Sequence, residues 1–215
     1  MVRYHQSEQL IRNAMIKSVI QRMIPFYSSY KKSVSTQIHN QSYWGYVRFR
    51  LTGKCKGGGY YPVHPTCTIA NRRKIYVGIN STVARPGCYI QGAGYVYFGD
   101  YVQLAPNVGI LSANHDLYDQ TKYNVAPIVI GDYSWIGMNS VITAGVKLGT
   151  RTIVAAGAVV TKSFPDGFVV LAGVPAKPVK YLDKEKFIPW HYKFEYYGYI
   201  PKEQFENKRK KYIDI

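Results

Sequence analysis

The sequence predicts an all-β core built as a parallel β-helix, with a helical segment before it and an extension after it. Aliphatic residues recur every six positions between Ile130 and Val160. A small or β-branched residue stands four positions after each of the first five of them. A period of six matches neither the turn of an α-helix nor the alternation of an ordinary strand. It is typical of stacked coils in which each short strand ends at a corner.

The two kinds of repeated position have different expected places in a coil. The aliphatic residues point inward and stack on their equivalents in neighbouring coils: Ile130, Ile136, Ile142, Leu148, Val154 and Val160. The small residues fit the corners: Ser134, Ser140, Val146, Thr152 and Ala158. Glycine follows three of the aliphatic residues, at 131, 137 and 149, where we expect backbone angles that other residues avoid. A β-rich domain with regular turns is the alternative, but its strands would repeat at period two.

Composition places the chain among folded proteins without a disulfide framework. Its 215 residues are enough for one core with appendages, and 15% of them are aromatic. The three cysteines, Cys55, Cys67 and Cys88, are an odd number without CxxC spacing. They indicate buried thiols in a reducing compartment and hence a cytoplasmic protein.

The positive charge is concentrated at the N-terminus. The net charge is +16, and residues 1–60 contain ten Lys and Arg against one acid, Glu8. Such a segment favours an anionic partner: a phosphate-rich cofactor, an anionic membrane or nucleic acid. No stretch is apolar over a length that would span a bilayer.

Residues 10–24 are predicted to form an amphipathic helix that Pro25 ends. Three interpretations stay open: packing on its own domain or a neighbouring subunit, lying on a membrane surface through residues 10–25, and a mitochondrial-type targeting segment. The following Gly/Lys-rich loop, GKCKGGGYY, lacks the order of a phosphate-binding loop and is interpreted as a connection.

The six-residue period extends toward the N-terminus in a looser form. Phe98, Leu104 and Ile110 keep it, with Val102 and Val108 at the corner positions, whereas residues 61–95 are less regular. Residues 111–127 interrupt it, and such an insertion is expected to project from one side of the coils, often the binding side. This insertion contains His115.

The end of the core is marked by prolines. Pro165, Pro175 and Pro178 are expected to end the strands and close the β-helix. The aromatic tail should pack on the protein, with a short helix at 202–213. The predicted domains are therefore an N-terminal helix and connection at 1–60, the β-helix at 61–182 and an aromatic, basic extension at 183–215.

Taken together, these motifs resemble a known family. The hexads, the sequence NHD at 114–116, PIVIGDYSWIGMNSVITAGV, AAGAVVTKSFPDG and VLAGVPAKPVK are similar to the hexapeptide-repeat acyltransferases. Within them, the galactoside/maltose and capsular-polysaccharide O-acetyltransferases are most similar, over roughly residues 65–182. The resemblance implies a left-handed β-helix, a triangular prism with three hexads per coil. It also implies a homotrimer that binds acetyl-CoA between adjacent prisms, with no metal required.

The resemblance gives His115 the role of catalytic base. Acetyl transfer from a thioester to an alcohol needs a base for the hydroxyl proton, and a histidine that titrates near neutral pH suits this role. Asp116 could orient the imidazole through Nδ1, and a backbone carbonyl is the alternative.

Other residues of the family's binding sites carry over by position. The coenzyme contacts are Met138, Ala144, Ala156, Thr161, Lys162 and Lys180. The two lysines would bind phosphate, although each is also compatible with a solvated side chain. Trp135 would line the thioester end of the site or lie at a subunit interface. Arg85 and Ala93 stand where the family pattern has Asn and Asp, so we expect an acceptor that carries a carboxylate or phosphate rather than a simple galactoside.

The sequence thus predicts an acetyl-CoA-dependent O-acetyltransferase that acts on a sugar in surface-polysaccharide synthesis. A xenobiotic acetyltransferase is the main alternative, since it shares the fold and the histidine. A serine acetyltransferase would have a large helical N-terminal domain, and a γ-type carbonic anhydrase would need three zinc-binding histidines. The high positive charge also leaves open a non-enzymatic module that binds anionic surfaces, although nucleic acid is not an expected partner.

Overall fold

The computed structural model describes residues 24, 26–35, 42–55 and 58–214. The helix predicted at 10–24 therefore lies outside the described residues, apart from Ile24. No helix among the described residues is long and apolar enough to cross a membrane.

The core is a β-solenoid with three faces. The first face consists of β1 (Thr68–Ala70), β3 (Tyr89–Gln91), β6 (Gly109–Leu111), β11 (Val141–Ile142) and β14 (Val159–Val160). The second consists of β2 (Ile75–Val77), β4 (Val96–Phe98), β9 (Ile128–Ile130) and β12 (Lys147–Leu148). The third consists of β5 (Gln103–Leu104), β10 (Trp135–Ile136), β13 (Ile153–Val154), β15 (Val169–Gly173) and β16 (Ala176–Tyr181). Every pair is parallel except β15 with β16, in keeping with the left-handed β-helix that the resemblance implies.

Burial confirms the two repeated positions. The six predicted inward residues are at most 2% exposed, and the five predicted corner residues are at most 1% exposed. Serine and threonine are tolerated at buried corners because their hydroxyls bond to backbone carbonyls. Ser140 Oγ donates to the carbonyl of Gly137 at 2.7 Å, and Thr152 Oγ1 donates to that of Gly149 at 2.7 Å. A buried hydroxyl without such a partner would cost free energy.

The expected reason for the repeated glycines was wrong. Gly131, Gly137 and Gly149 do not have positive φ angles. A Cβ on Gly137 would instead lie 2.6 Å from the backbone nitrogen of Ala156 in the next coil. These glycines allow two coils to approach closely, which a side chain would prevent.

Three edges join the faces, and each has a characteristic composition. The hairpin edge, between the first and second faces, carries the 111–127 insertion. The asparagine edge, between the third and first faces, has positive φ at Gly87, Asn107, Asn139 and Gly157. The aromatic edge, between the second and third faces, has positive φ at Tyr101, Tyr133, Arg151 and Phe168. Bulky residues rarely adopt this conformation, which costs about 1 kcal/mol or more each.

The C-terminal extension covers the aromatic edge. The rings of Tyr101 and Tyr133 are stacked, with centroids 5.0 Å apart and planes 3° apart. Trp190 and Phe187 contact Tyr133 edge-on at 4.8 and 5.2 Å. These contacts confirm that the aromatic tail packs on the protein, and they offset the backbone strain of the edge.

An antiparallel hairpin of β15 and β16 ends the solenoid. Pro165 precedes it and Pro175 lies in its turn, but Pro178 lies inside β16 rather than after it. The expectation that Pro178 ends a strand was therefore wrong. Because β16 is the edge strand of its sheet, a residue without an N–H is tolerated there.

Two helices that the sequence did not predict precede the solenoid. They are α1 (Tyr27–Val34) and α2 (Tyr43–Thr52). The Ser42 side chain accepts from the N–H of Gly45 at the start of α2, and Gly53 ends it with a φ of 68°. Phe49 of α2 contacts the ring of Tyr199 at 5.3 Å. Packing against the C-terminal segment thus stabilises a helix whose own residues favour strands.

The C-terminal segment adds a small hairpin and the predicted short helix. The hairpin consists of β17 (Tyr196–Tyr197) and β18 (Ile200–Pro201), and α3 (Lys202–Lys208) follows with a 3₁₀ turn at Arg209–Lys211. All three cysteines are free thiols. Cys55 and Cys88 are buried and Cys67 is partly exposed, so the predicted burial holds for two of them.

The close approach of coils gives a stability prediction with a matched control. Gly137→Ala should destabilise the fold by about 1–3 kcal/mol, because its Cβ would meet the backbone of the next coil at 2.6 Å. Gly109→Ala should have little effect, because its Cβ would meet only the Val141 side chain, at 3.4 Å. The measurement is the thermal midpoint of both variants at one protein concentration. Equal midpoints would contradict the role of close approach.

Candidate active site

The 111–127 insertion projects from the coils, as the break in the period predicts, and the structure shows that it forms a β-hairpin. Its strands are β7 (Ala113–His115) and β8 (Tyr123–Val125), which pair antiparallel. Ser112, which is fully buried, fixes the base of the hairpin. Its Oγ accepts from the N–H of Gly94 at 3.0 Å and contacts the carbonyl of Gln91. The hairpin is thus attached to the coil before it by buried hydrogen bonds.

His115 ends β7 and has a defined orientation. Its Nδ1 lies 2.8 Å from the carbonyl oxygen of Gln120. Its ring lies 4.4 Å from that of Tyr123, its partner across the hairpin. A carbonyl oxygen can only accept, so the neutral ring carries its proton on Nδ1. Nε2 therefore keeps its lone pair, and the side chain is exposed.

Asp116 does not orient His115. Its Oδ1 accepts from the N–H groups of Tyr118 and Asp119 at 2.9 and 3.0 Å, and its Oδ2 accepts from Asn124 Nδ2 at 3.3 Å. The expected orienting role is wrong for this residue, because its oxygens bond to the turn of the hairpin. The backbone carbonyl, the alternative given above, orients the imidazole.

The same hydrogen bonds explain the acidity of Asp116. The N–H groups of Tyr118 and Asp119 stabilise the carboxylate and lower its pKa from the ordinary value of 3.8. Because the folded pKa lies below the unfolded one, this carboxylate stabilises the hairpin above the unfolded pKa. The stabilisation is lost as the pH falls through the lowered pKa.

The predicted coenzyme contacts do not lie together on one chain. Ala144, Thr161 and Lys162 lie on the hairpin edge, where Ser163 Oγ bonds to the carbonyl of Gly145 in the coil below. Met138 and Ala156 lie on the asparagine edge, where the N–H of Gly157 bonds to the carbonyl of Met138. All are exposed except Ala144, which is partly buried.

The remaining predicted residues lie on the asparagine edge and the third face. Arg85 is partly buried on the asparagine edge, three coils from Ala156. Trp135 is 52% exposed on the outer side of the third face, between Gln103 and Ile153. Lys180 in β16 lines a cavity of about 490 Å³ together with Arg151 and Lys186. Lys180, which is expected to bind phosphate, thus has two other cations beside it.

Sequence reasoning missed the residues that hold His115 in place. Gln120 acts through its backbone carbonyl, which has no sequence signal. Tyr123 pairs with His115 across the hairpin, so a predicted hairpin would have identified it. Residues 116–122 contain no Gly or Pro to mark the turn, and the hairpin was therefore not predicted. Among the described residues, no three His, Cys, Asp or Glu side chains are grouped so that they would hold a metal ion.

Comparison with known proteins identifies relatives of the coils. The family model described as bacterial transferase hexapeptide (six repeats) matches residues 127–162. Galactoside O-acetyltransferase of Escherichia coli is 37% identical over 107 residues, which cover 47% of this chain and 50% of that enzyme. A protein of Saccharomyces cerevisiae, provisionally named an acetyltransferase, is 34% identical over 147 residues, which cover 66% of this chain and 73% of that protein. The match thus spans about half the length of the first relative and almost three quarters of the second.

A solved structure has the same architecture. It is a hexapeptide-repeat acetyltransferase of Vibrio cholerae in complex with acetyl coenzyme A, 25% identical to this chain with a TM-score of 0.55. The similarity covers 73% of this chain and 87% of the Vibrio protein. The Vibrio protein therefore shares the solenoid over most of its length.

The contacts of Asp116 give a prediction about the hairpin. Asp116→Ala should speed the hydrogen exchange of the Tyr118 and Asp119 amides by roughly fivefold, since each loses a hydrogen-bond acceptor. Asp116→Asn should keep them protected, because its amide oxygen still accepts in the turn. Amide exchange followed by NMR measures both variants. Unchanged exchange in Asp116→Ala would contradict the turn-stabilising role.

Proposed function

Because the chain belongs to the hexapeptide-repeat transferase family, we propose that it is an acetyl-CoA-dependent O-acetyltransferase whose acceptor is a sugar hydroxyl. The observation that carries this proposal is the geometry of His115, whose Nδ1 is held by the Gln120 carbonyl so that Nε2 is free to accept a proton. The Escherichia coli relative is a galactoside O-acetyltransferase, and the Vibrio structure contains acetyl coenzyme A, which supports the choice of donor and reaction.

His115 acts as the general base. Its Nε2 takes the proton of the acceptor hydroxyl as the oxygen attacks the thioester carbonyl carbon. The C–S bond then breaks, and the imidazolium returns the proton to the departing thiolate. The Gln120 carbonyl accepts from Nδ1 in both protonation states, so the ring keeps its orientation as the proton moves. A thioester is already activated, so no covalent intermediate on the protein is needed.

The surface of the coils fits an extended donor. The methyl groups of Ala144 and Ala156 leave space for a pantetheine arm near the backbone. Thr161 and Lys162 follow the last repeats on the hairpin edge, and Lys180 lies with Arg151 and Lys186 in a separate cavity. Lysine side chains at these points suit the phosphates of the coenzyme. Trp135 is exposed enough to cover part of the donor.

A homotrimer would bring the separated residues into one site. The hairpin edge and the asparagine edge are two different edges of one prism, so residues on both can border one ligand only if two chains meet. The hairpin also exposes two large apolar side chains at its tip, Leu117 at 89% and Tyr118 at 97%. Such exposure favours a subunit contact, because burial of these side chains would stabilise it.

We place the acceptor in capsular or other surface-glycan synthesis. Arg85, which is partly buried, supplies a cation that suits an acceptor carrying an anionic group, and Ala93 adds no acid that would repel it. An antibiotic acetyltransferase would use the same base. The identity of the acceptor therefore distinguishes antibiotic acetylation from surface-glycan acetylation. The same proposal places the enzyme in the cytoplasm, with residues 10–25 contacting the inner membrane surface.

The first test is acetyl transfer itself. The protein is incubated with acetyl-CoA and a panel of sugars, nucleotide-linked sugars and antibiotics, and thiol release and product mass are measured. His115→Ala should lower kcat by roughly 10²–10⁴ while the protein still binds acetyl-CoA. His191→Ala is the control, because His191 is an exposed histidine that contacts Glu195 at the aromatic edge. Near-normal turnover of His115→Ala would exclude its role as the base.

The second test concerns the shared site. Ala156→Tyr should block the donor groove without touching His115, and each variant alone should be inactive. Trimers assembled from equal amounts of His115→Ala and Ala156→Tyr should recover roughly a quarter of the active sites, because some sites combine two intact halves in a closed ring. Thiol release after joint refolding or co-expression measures the recovery. Complete inactivity of the mixture would show that each site belongs to one chain.

A further inference from the structure

A second cavity, rich in positive charge, lies beside the first coil. Its volume is about 500 Å³, within the range of small-molecule sites. We call it the basic cavity, and its charged lining residues are Lys54, Arg72, Arg73, Lys74, Lys211 and Asp214. It brings together the end of the N-terminal segment, the first coil and the C-terminus. No residue of the proposed acetyl-transfer site lines it.

The charges of the basic cavity do not cancel. Asp214 is the only acid among its described lining residues. Arg73 engages that carboxylate through Nε at 2.9 and 2.8 Å and donates to the carbonyl of Lys211 at 2.9 Å. This pair attaches the C-terminal segment to the first coil, and the Asp214 carboxylate is neutralised by Arg73. The side chains of Lys54, Lys74 and Lys211 therefore leave an excess of positive charge in the cavity.

Two of these cations are held in position by the backbone. Arg72 donates from Nη1 to the carbonyl of Gly58 at 2.6 Å and is partly buried. Lys74 donates from Nζ to the carbonyl of Ala93 at 3.2 Å and lies over the ring of Tyr95 at 5.5 Å. The neutral carbonyl of Ala93 orients the Lys74 ammonium without neutralising it. Lys54 and Lys211 are exposed at the rim, and the salt bridges of the described residues include neither of them.

The position of the basic cavity connects it to His115. Arg72 and Lys74 form a 3₁₀ turn on the hairpin edge in the first coil. The next coil on that edge contains Ala93, and the one after it contains the base of the hairpin, where Gly94 bonds to Ser112. Neighbouring strands lie about 4.8 Å apart, so the cavity is roughly 10 Å from the base of the hairpin along one edge. A ligand in the cavity can extend along this edge toward the hairpin.

We propose that the basic cavity binds the phosphate or diphosphate group of the acceptor, and that the attached sugar lies along the hairpin edge toward His115. This proposal rests on the proposed acetyl transfer and names its substrate class as a sugar joined to phosphate. Several lysine and arginine side chains around one small cavity match a multiply charged phosphate better than a single carboxylate. At the corner between the cavity and the hairpin, Ala93 leaves room for the sugar.

Direct binding tests the cavity without acetyl transfer. Inorganic pyrophosphate is titrated into the full-length protein by calorimetry, with and without saturating coenzyme A. Lys54→Gln combined with Lys211→Gln should weaken binding at least tenfold, the effect expected for losing a charge-assisted hydrogen bond. Lys208→Gln is the matched control, since it removes an exposed lysine that bonds to Gln204 and does not line the basic cavity, so binding should be unchanged. Equal binding by the double variant, or displacement of pyrophosphate by coenzyme A, would overturn the proposal.

Two further ligands distinguish the sources of the diphosphate. A uridine-diphosphate sugar represents a soluble acceptor, and vesicles that contain a polyprenyl-diphosphate sugar represent a lipid-linked one. The double variant should raise the acceptor KM at least tenfold for the ligand that is used, with kcat little changed. If wild type acetylates neutral sugars and ignores both ligands, the cavity proposal fails while the acetyltransferase stands. If pyrophosphate binds in the cavity but no acceptor yields thiol release, the proposed function fails, and the acceptor role of the cavity fails with it.

Discussion

Each coil of the solenoid forms its backbone hydrogen bonds with the coils on either side, so the chain must return to the same lateral position after every turn. This constraint explains most of the sequence pattern. Aliphatic residues fill the interior, hydroxyl side chains close the corners by bonding to backbone carbonyls, and Gly137 lets neighbouring coils touch. The constraint also aligns the edges into columns, so that residues far apart in sequence, such as Arg72 and Gly94, follow one another along a single edge.

The sequence predicted the parts of the fold that repeat. Ile136 and Ser140 were placed correctly because the same requirement recurs in every coil and leaves a visible period. Helix α2 gave no such signal, since its residues YWGYVRFRLT favour strands and only contacts with Tyr199 and its neighbours make it helical. The expectation that Pro178 ends a strand was wrong for a similar reason. A proline is tolerated inside β16 because β16 is an edge strand, and only the assembled sheet shows which strand lies at its edge.

The sequence predicted those parts of the candidate site that require a particular side chain. It did not predict the contacts made by backbone groups, because any residue can supply them. The break in the period located His115, and the structure adds the proton on Nδ1 and the contact with Tyr123. Asp116 was the nearest acid in sequence, yet adjacent residues seldom face each other, and the carbonyl of Gln120 orients the imidazole. The basic cavity has no local motif, because Lys54, Arg72 and Lys211 come together only when the segments on either side of the solenoid meet the first coil.

The β15–β16 hairpin limits how the protein can associate. A stack of parallel coils has an open end whose unpaired N–H and C=O groups would accept another strand, as in a growing fibre. Here the last strand of the third face runs in the opposite direction, and its outer side carries Pro178 between Lys177 and Lys180. A strand from a second molecule would have to pair with β16, which lacks an N–H at Pro178. The lysines of β16 would also repel a second copy of this positively charged chain. At this end of the third face, the hairpin therefore opposes extension of the sheet by a strand from another molecule.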